Sequence, residues 1–369
     1  MNMTDPSVPE GNRDFSRALS ERLFTVLPSV ITEERETLHK ATGNTPIGEP
    51  PASVSVTPQE IIRSYANRNI TLGMEATNDF FNAKTWPHSS LAEVALITAN
   101  HIRMLYHIGK TYGKEETVLE LEFLTTILFR AIDGSDSDGF LRIEGNRTVF
   151  HRPDEANQGT FLSLYSEKVA RNLGKARIVQ FLPEVAQIAL AAWGMFSSDE
   201  IGRRGIEFLS REAVISSGGN RPTGQTEKTG SGSFETEGRC NVEKVKLLVN
   251  LLKDDHVPED RKAALVEPFL RELRLDEVEA HRLQKKVPDT KLFKVDLLVF
   301  QQQPARKIDL MVDLVGLAFF DQKINPNRTI FVKNTGRDLG FSTDELERLL
   351  DDGVQTIAFK KRLFSFGAT

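Results

Sequence analysis

The run Asp254, Asp255, His256, Val257, Pro258, Glu259 and Asp260 gathers carboxylates and an imidazole into one short segment, a donor set that takes a divalent cation weakly. The Gly/Ser/Asp-rich stretch from Asp133 to Gly139, with Glu144 beyond it, invites a calcium reading. Placing Gly139 at the required sixth position puts Gly134 first and Gly145 twelfth, so both anchor ligands are missing and a solvated turn is expected. Gly109, Lys110 and Thr111 imitate the end of a phosphate-binding loop, yet Arg103 to Tyr106 occupy the stretch where that loop needs its glycine; a helix end capped by Gly113 is expected. His101 and His107 lie on one helix about 120 degrees apart, which rules out chelation by that pair alone. Nowhere do a nucleophile, a base and an orienting group fall into a recognisable order, so no catalytic residue, no enzyme activity and no cofactor are expected.

The elements that must position these residues read as helices throughout. The chain has 369 residues, 39% hydrophobic and 27% charged, enough for two helical domains with their own cores. A formal net charge of -5 leaves no basic excess for phosphate backbones, so nucleic acid is not an expected partner. The single cysteine, Cys240, cannot form an internal disulfide, and the N-terminal stretch has no apolar run; a cytoplasmic protein is expected.

Residues 1–54 read as a disordered arm with one short helix near Leu19 to Leu27. Thr57, Pro58 and Glu60 open the first helix as cap, first-turn proline and capping-box acid. Ser90 and Glu93 open a second, whose apolar set is Leu91, Val94, Ala95, Ile97, Ile102, Leu105 and Ile108. A third helix is expected from Glu115 to Ile132, then a loop from Asp133 to Pro153. Helices are expected again over 160–173 and 178–196, and over 197–214 from a capping box at Ser197 and Glu200. Residues 216–240 contain one aromatic and no aliphatic side chain, the composition of a flexible linker. The apolar stretch 178–196 holds Gln180, Pro183, Glu184 and Gln187, so a buried bundle helix is expected there rather than a membrane span. The tail Phe359 to Phe366 mixes cations with aromatics, as a final helix snorkelling over a core does, and as membrane-surface anchors also do.

The last stretch repeats itself. Lys244, Val245, Leu247, Leu248, Val249, Leu251 and Leu252 match Lys307, Ile308, Leu310, Met311, Val312, Leu314 and Val315. Asp254 to Arg261 then aligns with Asp321 to Arg328, and Asp276, Glu279, Arg282 and Leu283 with Ser342, Glu345, Arg348 and Leu349. Two copies of a helix, loop, helix, helix unit are expected.

Residues 319–350, with Asp321, Ile324, Leu339, Gly340 and Glu345, resemble the tellurite-resistance TerB-like family, and the likeness covers about 241–355. It implies a helical domain of the stress response with divalent metal on its acidic loops, the ligands being Asp254, Asp255 and Asp321. Gln322 follows Asp321 where the family has glycine, and Arg328 stands where it has an acid. A guanidinium closing each loop, Arg261 or Arg328, supplies the positive charge an ion would bring. Asp321 is accordingly expected to be held by Arg328 or by hydrogen bonds. Residues 101–115 and 175–209, with Tyr106, Gly113, Pro183, Gly194, Ile201 and Gly202, resemble the bacterial EcsC family over about 57–214. That likeness implies a membrane-associated helical module without catalytic residues.

The expectation is an all-α protein: arm 1–54, EcsC-like bundle 55–215, linker 216–240 and TerB-like repeat domain 241–369. Its expected work is that of a non-enzymatic bacterial adaptor, peripheral at the inner face of the cell membrane through the first domain and binding a protein partner through the second. The alternative is a divalent-metal sensor or metal-dependent enzyme using the acidic loops.

Overall fold

The computed structural model describes residues 29–40, 56–75, 91–120, 141–144, 147–151, 185–216, 232–253, 257–273, 275–288, 291–301, 303–321 and 325–366. Positions 21, 26, 123–124 and 127–128 are described singly or in pairs. The expected turn at Asp133 to Gly139, the helix at 160–173 and most of the linker fall outside them, as do Asp254, Asp255 and His256. The chain is helical, as its periodicity implies, with one small sheet added.

It divides into two compact units. Unit 1 comprises Met1–Leu72, Ala76–Lys175 and Ser197–Arg221; unit 2 comprises Gly73–Glu75, Ala176–Phe196 and Pro222–Thr369. These limits differ from the expected ones, because residues 176–196 belong with the C-terminal unit.

In unit 1, positions 21 and 26 are helical where a short helix is expected near Leu19 to Leu27, and helix α1, 29–40, lies within the arm expected to be disordered and buries Ile31 completely. Helix α2, Pro58–Glu75, starts as the sequence requires: the Thr57 amide donates to Glu60 Oε2 at 2.7 Å and the Glu60 amide to Thr57 Oγ1 at 3.3 Å. Helix α3, Leu91–Thr111, buries Val94, Ile97, Ile102, Leu105 and Ile108 fully. It ends on Gly113 at φ 63, where the Gly113 amide reaches Lys110 O at 3.2 Å and the Lys114 amide reaches Gly109 O at 2.9 Å. Only a residue without Cβ adopts that left-handed stop at no cost. Helix α4, Glu115–Leu119, stops at a bend, so the expected run to Ile132 is not one uninterrupted helix.

Two expectations fail in this region. Helix α5, Ala186–Leu209, runs straight through the supposed capping box at Ser197 and Glu200. Its hydroxyls at Ser197 and Ser198 are engaged by side chains from other helices, and Glu200 pairs along the helix with Arg203 and Arg204. The chain then leaves the helix at Ser210, and Val214 lies in a strand rather than in a helix. Strands β1, Leu141–Glu144, β2, Arg147–His151, and β3, Glu212–Ser216, form a sheet in the order β1-β2-β3, antiparallel then parallel. The register sets Glu144 opposite Arg147, leaving Gly145 and Asn146 between the strands. Gly-Asn between alternating residues is a hairpin signal, so part of the expected loop at 133–153 was readable as strands.

Unit 2 contains α6, Gly232–Lys253, α7, Glu259–Glu272, α8, Glu277–Lys285, α9, Leu298–Gln301, α10, Pro304–Ala318, α11, Pro326–Asp338, and α12, Thr343–Phe366. Helix α6 begins inside the expected linker, at Gly232 rather than after Cys240. Its matched positions Lys244 to Leu252 and those of α10, Lys307 to Val315, are buried in both helices at every pairing. Helix α10 is buried all round from Lys307 to Ala318, the mark of a core helix. Asp276 caps α8, accepting from the Val278 amide at 2.8 Å, and Leu283 and Leu349 are fully buried. The α5 segment of this unit packs into the same core, with the rings of Phe196 and Phe341 4.5 Å apart.

Candidate functional site

In unit 1 an apolar core surrounds a polar chain. Asn69 on α2 donates to Ser198 Oγ at 2.8 Å, and Asn100 on α3 donates to Asn69 Oδ1 at 2.8 Å. His101 Nε2 lies 3.2 Å from Ser198 Oγ and 3.3 Å from Ser197 Oγ. Arg103 continues the chain outward, 3.4 Å from Asn100 Oδ1 and forked onto Glu34 of α1 at 2.7 and 2.5 Å. A serine hydroxyl beside an imidazole has the makings of nucleophilic chemistry. Asn69, His101 and Ser198 are, however, 0% exposed and Ser197 1%, so these hydroxyls are turned into the protein. What the arrangement does is satisfy buried polar groups and fix how α2, α3 and α5 meet.

The sequence left His101 as a core or surface histidine and made Ser197 a cap. The readable signal was polar Thr98 and His101 set among the buried positions of α3. His107 faces the other way, as the helical angle requires, and is exposed. Its ring stacks on Tyr65 at 6.1 Å and meets Tyr106 edge-on at 5.5 Å, while the Arg68 guanidinium sits 4.9 Å over the Tyr65 ring. Partial burial, then Lys110 and Arg68, push the His107 imidazole below its ordinary range. Burial pushes the Tyr65 phenol up, against the pull of Arg68 and Arg103. It does the same at Tyr106, where Glu115 and Glu116 add to the shift.

In unit 2 three buried charges form a trio. Lys244 Nζ on α6 lies 2.8 Å from Asp309 Oδ2 and 2.5 Å from Asp313 Oδ2, both on α10, with all these side chains at most 4% exposed. The other oxygen of Asp309 is buried without a hydrogen-bond partner. Lys307, the residue matched to Lys244, instead places its ammonium 4.7 Å over the Phe341 ring.

Of the implied metal ligands, Asp254 and Asp255 fall outside the described residues, as does His256. Asp321 is gripped by Arg328 through Nη1 to Oδ1 at 2.9 Å and Nη2 to Oδ2 at 3.1 Å; Arg328 also donates to Ala318 O at 3.1 Å. The arginine pairing expected from the sequence is therefore present. Arg328 lies 4.4 Å over the Phe320 ring, and Arg261 approaches the same ring at 5.4 Å. Among the described residues no group of His, Cys, Asp or Glu is placed to hold a metal ion. Nor is any helix among them long and apolar enough to cross a membrane.

No protein-family model, no curated protein and no solved structure matches this chain. The likenesses to the EcsC and TerB-like families rest on the residues quoted for them.

Proposed function

We propose that this chain is a non-enzymatic bacterial adaptor with a role in the stress response, working in the cytoplasm and peripherally at the inner face of the cell membrane. In this reading the EcsC-like first half meets the membrane and the TerB-like second half binds a protein partner. The observation that carries it is where the reactive side chains are spent. Ser197, Ser198 and His101 are sealed in one core, Lys244, Asp309 and Asp313 in the other, and Asp321 is closed by a forked arginine. Groups committed in this way stabilise helix contacts and do not face a substrate. The same forked pair counts against the rival metal-sensor reading, since a carboxylate held at both oxygens has little left to offer an ion.

Among the described residues, Val278, Leu292 and Leu298 are the large apolar side chains of unit 2 most open to solvent, at 76, 59 and 66%. They are where a partner is expected to dock. Purification of the tagged full chain from its native cell, with and without detergent, tests the reading. The expected result is a membrane fraction released by salt without detergent and one protein retained in stoichiometric amount. Recovery of the chain alone from the soluble fraction would overturn it.

A further inference from the structure

We propose that Arg68, His107 and Lys110 form a binding site for a phosphate group, presented by the headgroup of an anionic phospholipid. The proposal rests on the membrane-contact half of the reading above and names the lipid class.

Arg68 and Tyr65 come from α2, and Arg103, His107 and Lys110 from α3; the two helices meet where His107 stacks on Tyr65. The spacing of Arg103, His107 and Lys110 puts them on one face of α3. Arg103 is already paired, because Glu34 of α1 occupies its fork. Arg68 and Lys110 are exposed and have no carboxylate partner among the described residues; Arg68 rests on the Tyr65 ring. Both lie close enough to His107 to repel a proton from its ring. Glu34, the carboxylate that acts on Tyr65, is the one bound to Arg103. Glu115 and Glu116 act on Tyr106, whose ring meets that of His107 edge-on.

The result is a patch of positive charge on a chain whose net charge is -5, with no carboxylate paired to Arg68 or Lys110 among the described residues. Surface charges are felt over about 8 Å at physiological salt, so the local sign governs a docking anion rather than the total. A phosphate oxyanion accepts from a planar guanidinium, an ammonium and the ring N–H of an imidazole together. Lipid is favoured over a soluble phosphate because Leu96 stands on the same face of α3 as Arg103 and His107 and is 50% exposed. A cationic stripe continued by an exposed apolar side chain suits the interface between headgroups and acyl chains.

Flotation of the full chain with phosphatidylcholine vesicles, with and without phosphatidylglycerol, tests this. The expected result is binding that needs phosphatidylglycerol, weakens with salt and strengthens once the pH falls below the ordinary imidazole range, where His107, held low by burial, Lys110 and Arg68, takes a proton. The double variant Arg68→Gln/Lys110→Gln should lose about 30-fold in partitioning, whereas Arg271→Gln/Lys285→Gln, which removes the same charge from exposed sites in unit 2, should lose little. Equal losses in the two variants would overturn the site, as would phosphatidylglycerol binding that Arg68→Gln/Lys110→Gln leaves unchanged. Equal binding to uncharged vesicles would overturn the site and keep the membrane reading. Absence of binding to any vesicle would sink both, and a His107 ring signal moved by inorganic phosphate alone would then assign the cations to a soluble ligand instead.

Discussion

Lys244 holds two carboxylates inside a core, so removing it leaves buried charge with nothing opposite. Lys244→Met is expected to destabilise the protein by about 3–5 kcal/mol, read from the midpoint of urea unfolding. The loss should shrink when Asp309 and Asp313 are also changed to Asn, because the penalty comes from the stranded charges; a loss unaltered in that background would show that packing alone was at stake. Asp321 makes the opposite case, a carboxylate whose companion is already in place. Calorimetric titration of the full chain with calcium and with zinc is expected to show affinity no tighter than about millimolar. A stoichiometric submicromolar site abolished by Asp321→Asn would promote the sensor reading above the adaptor.

Among the elements, α6 and α10 share an apolar pattern that the sequence aligns residue by residue. Leu251 is 2% exposed and Leu314 0%, so either changed to Ala should cost about 2–5 kcal/mol, with losses of similar size. A negligible effect at one and a large effect at the other would make the alignment superficial. The close approach of α2 to α5 within unit 2 gives a sharper test. A Cβ on Gly73 would lie 2.3 Å from the Ala191 backbone nitrogen, so the helices must separate for Gly73→Ala, at a cost of about 1–3 kcal/mol in thermal or urea unfolding. Gly238, exposed within α6, meets nothing within 4 Å, and Gly238→Ala should stabilise by up to about 1 kcal/mol through helix propensity. Equal signs at the two sites would contradict this packing.

For the whole molecule, residues 217–231 carry no aliphatic side chain and include Arg221 and Lys228. Trypsin is expected to cut there first. The fragment 232–369 made alone would lack Ile188 and Phe196, which pack against Gly353 and Phe341 in unit 2. It should therefore unfold at a lower denaturant concentration than the same unit within the intact chain. A fragment as stable as the intact unit would return the boundary to the one the composition suggests.

Helix starts and stops were legible because they are local. The Thr57 and Glu60 box and the left-handed stop at Gly113 each concern bonds within about one turn, and the chain satisfies them wherever it is placed. The Asp321 and Arg328 pair was legible for a related reason: seven positions apart, the two meet as soon as the loop closes onto its helix. The tertiary structure decided what depends on distant partners. Ser197 and Ser198 have the residue types of a cap, and Asn69 and His101, far off in sequence, made them the lining of a core. Lys244 and Lys307 occupy matched positions, yet one found two aspartates and the other an aromatic ring. β3 pairs with β2 across some sixty residues, a pairing no local pattern specifies. A side chain's intrinsic preference is worth a few tenths of a kcal/mol, whereas leaving a buried polar group unpaired costs about 1–3, so where the two disagree the distant partner prevails.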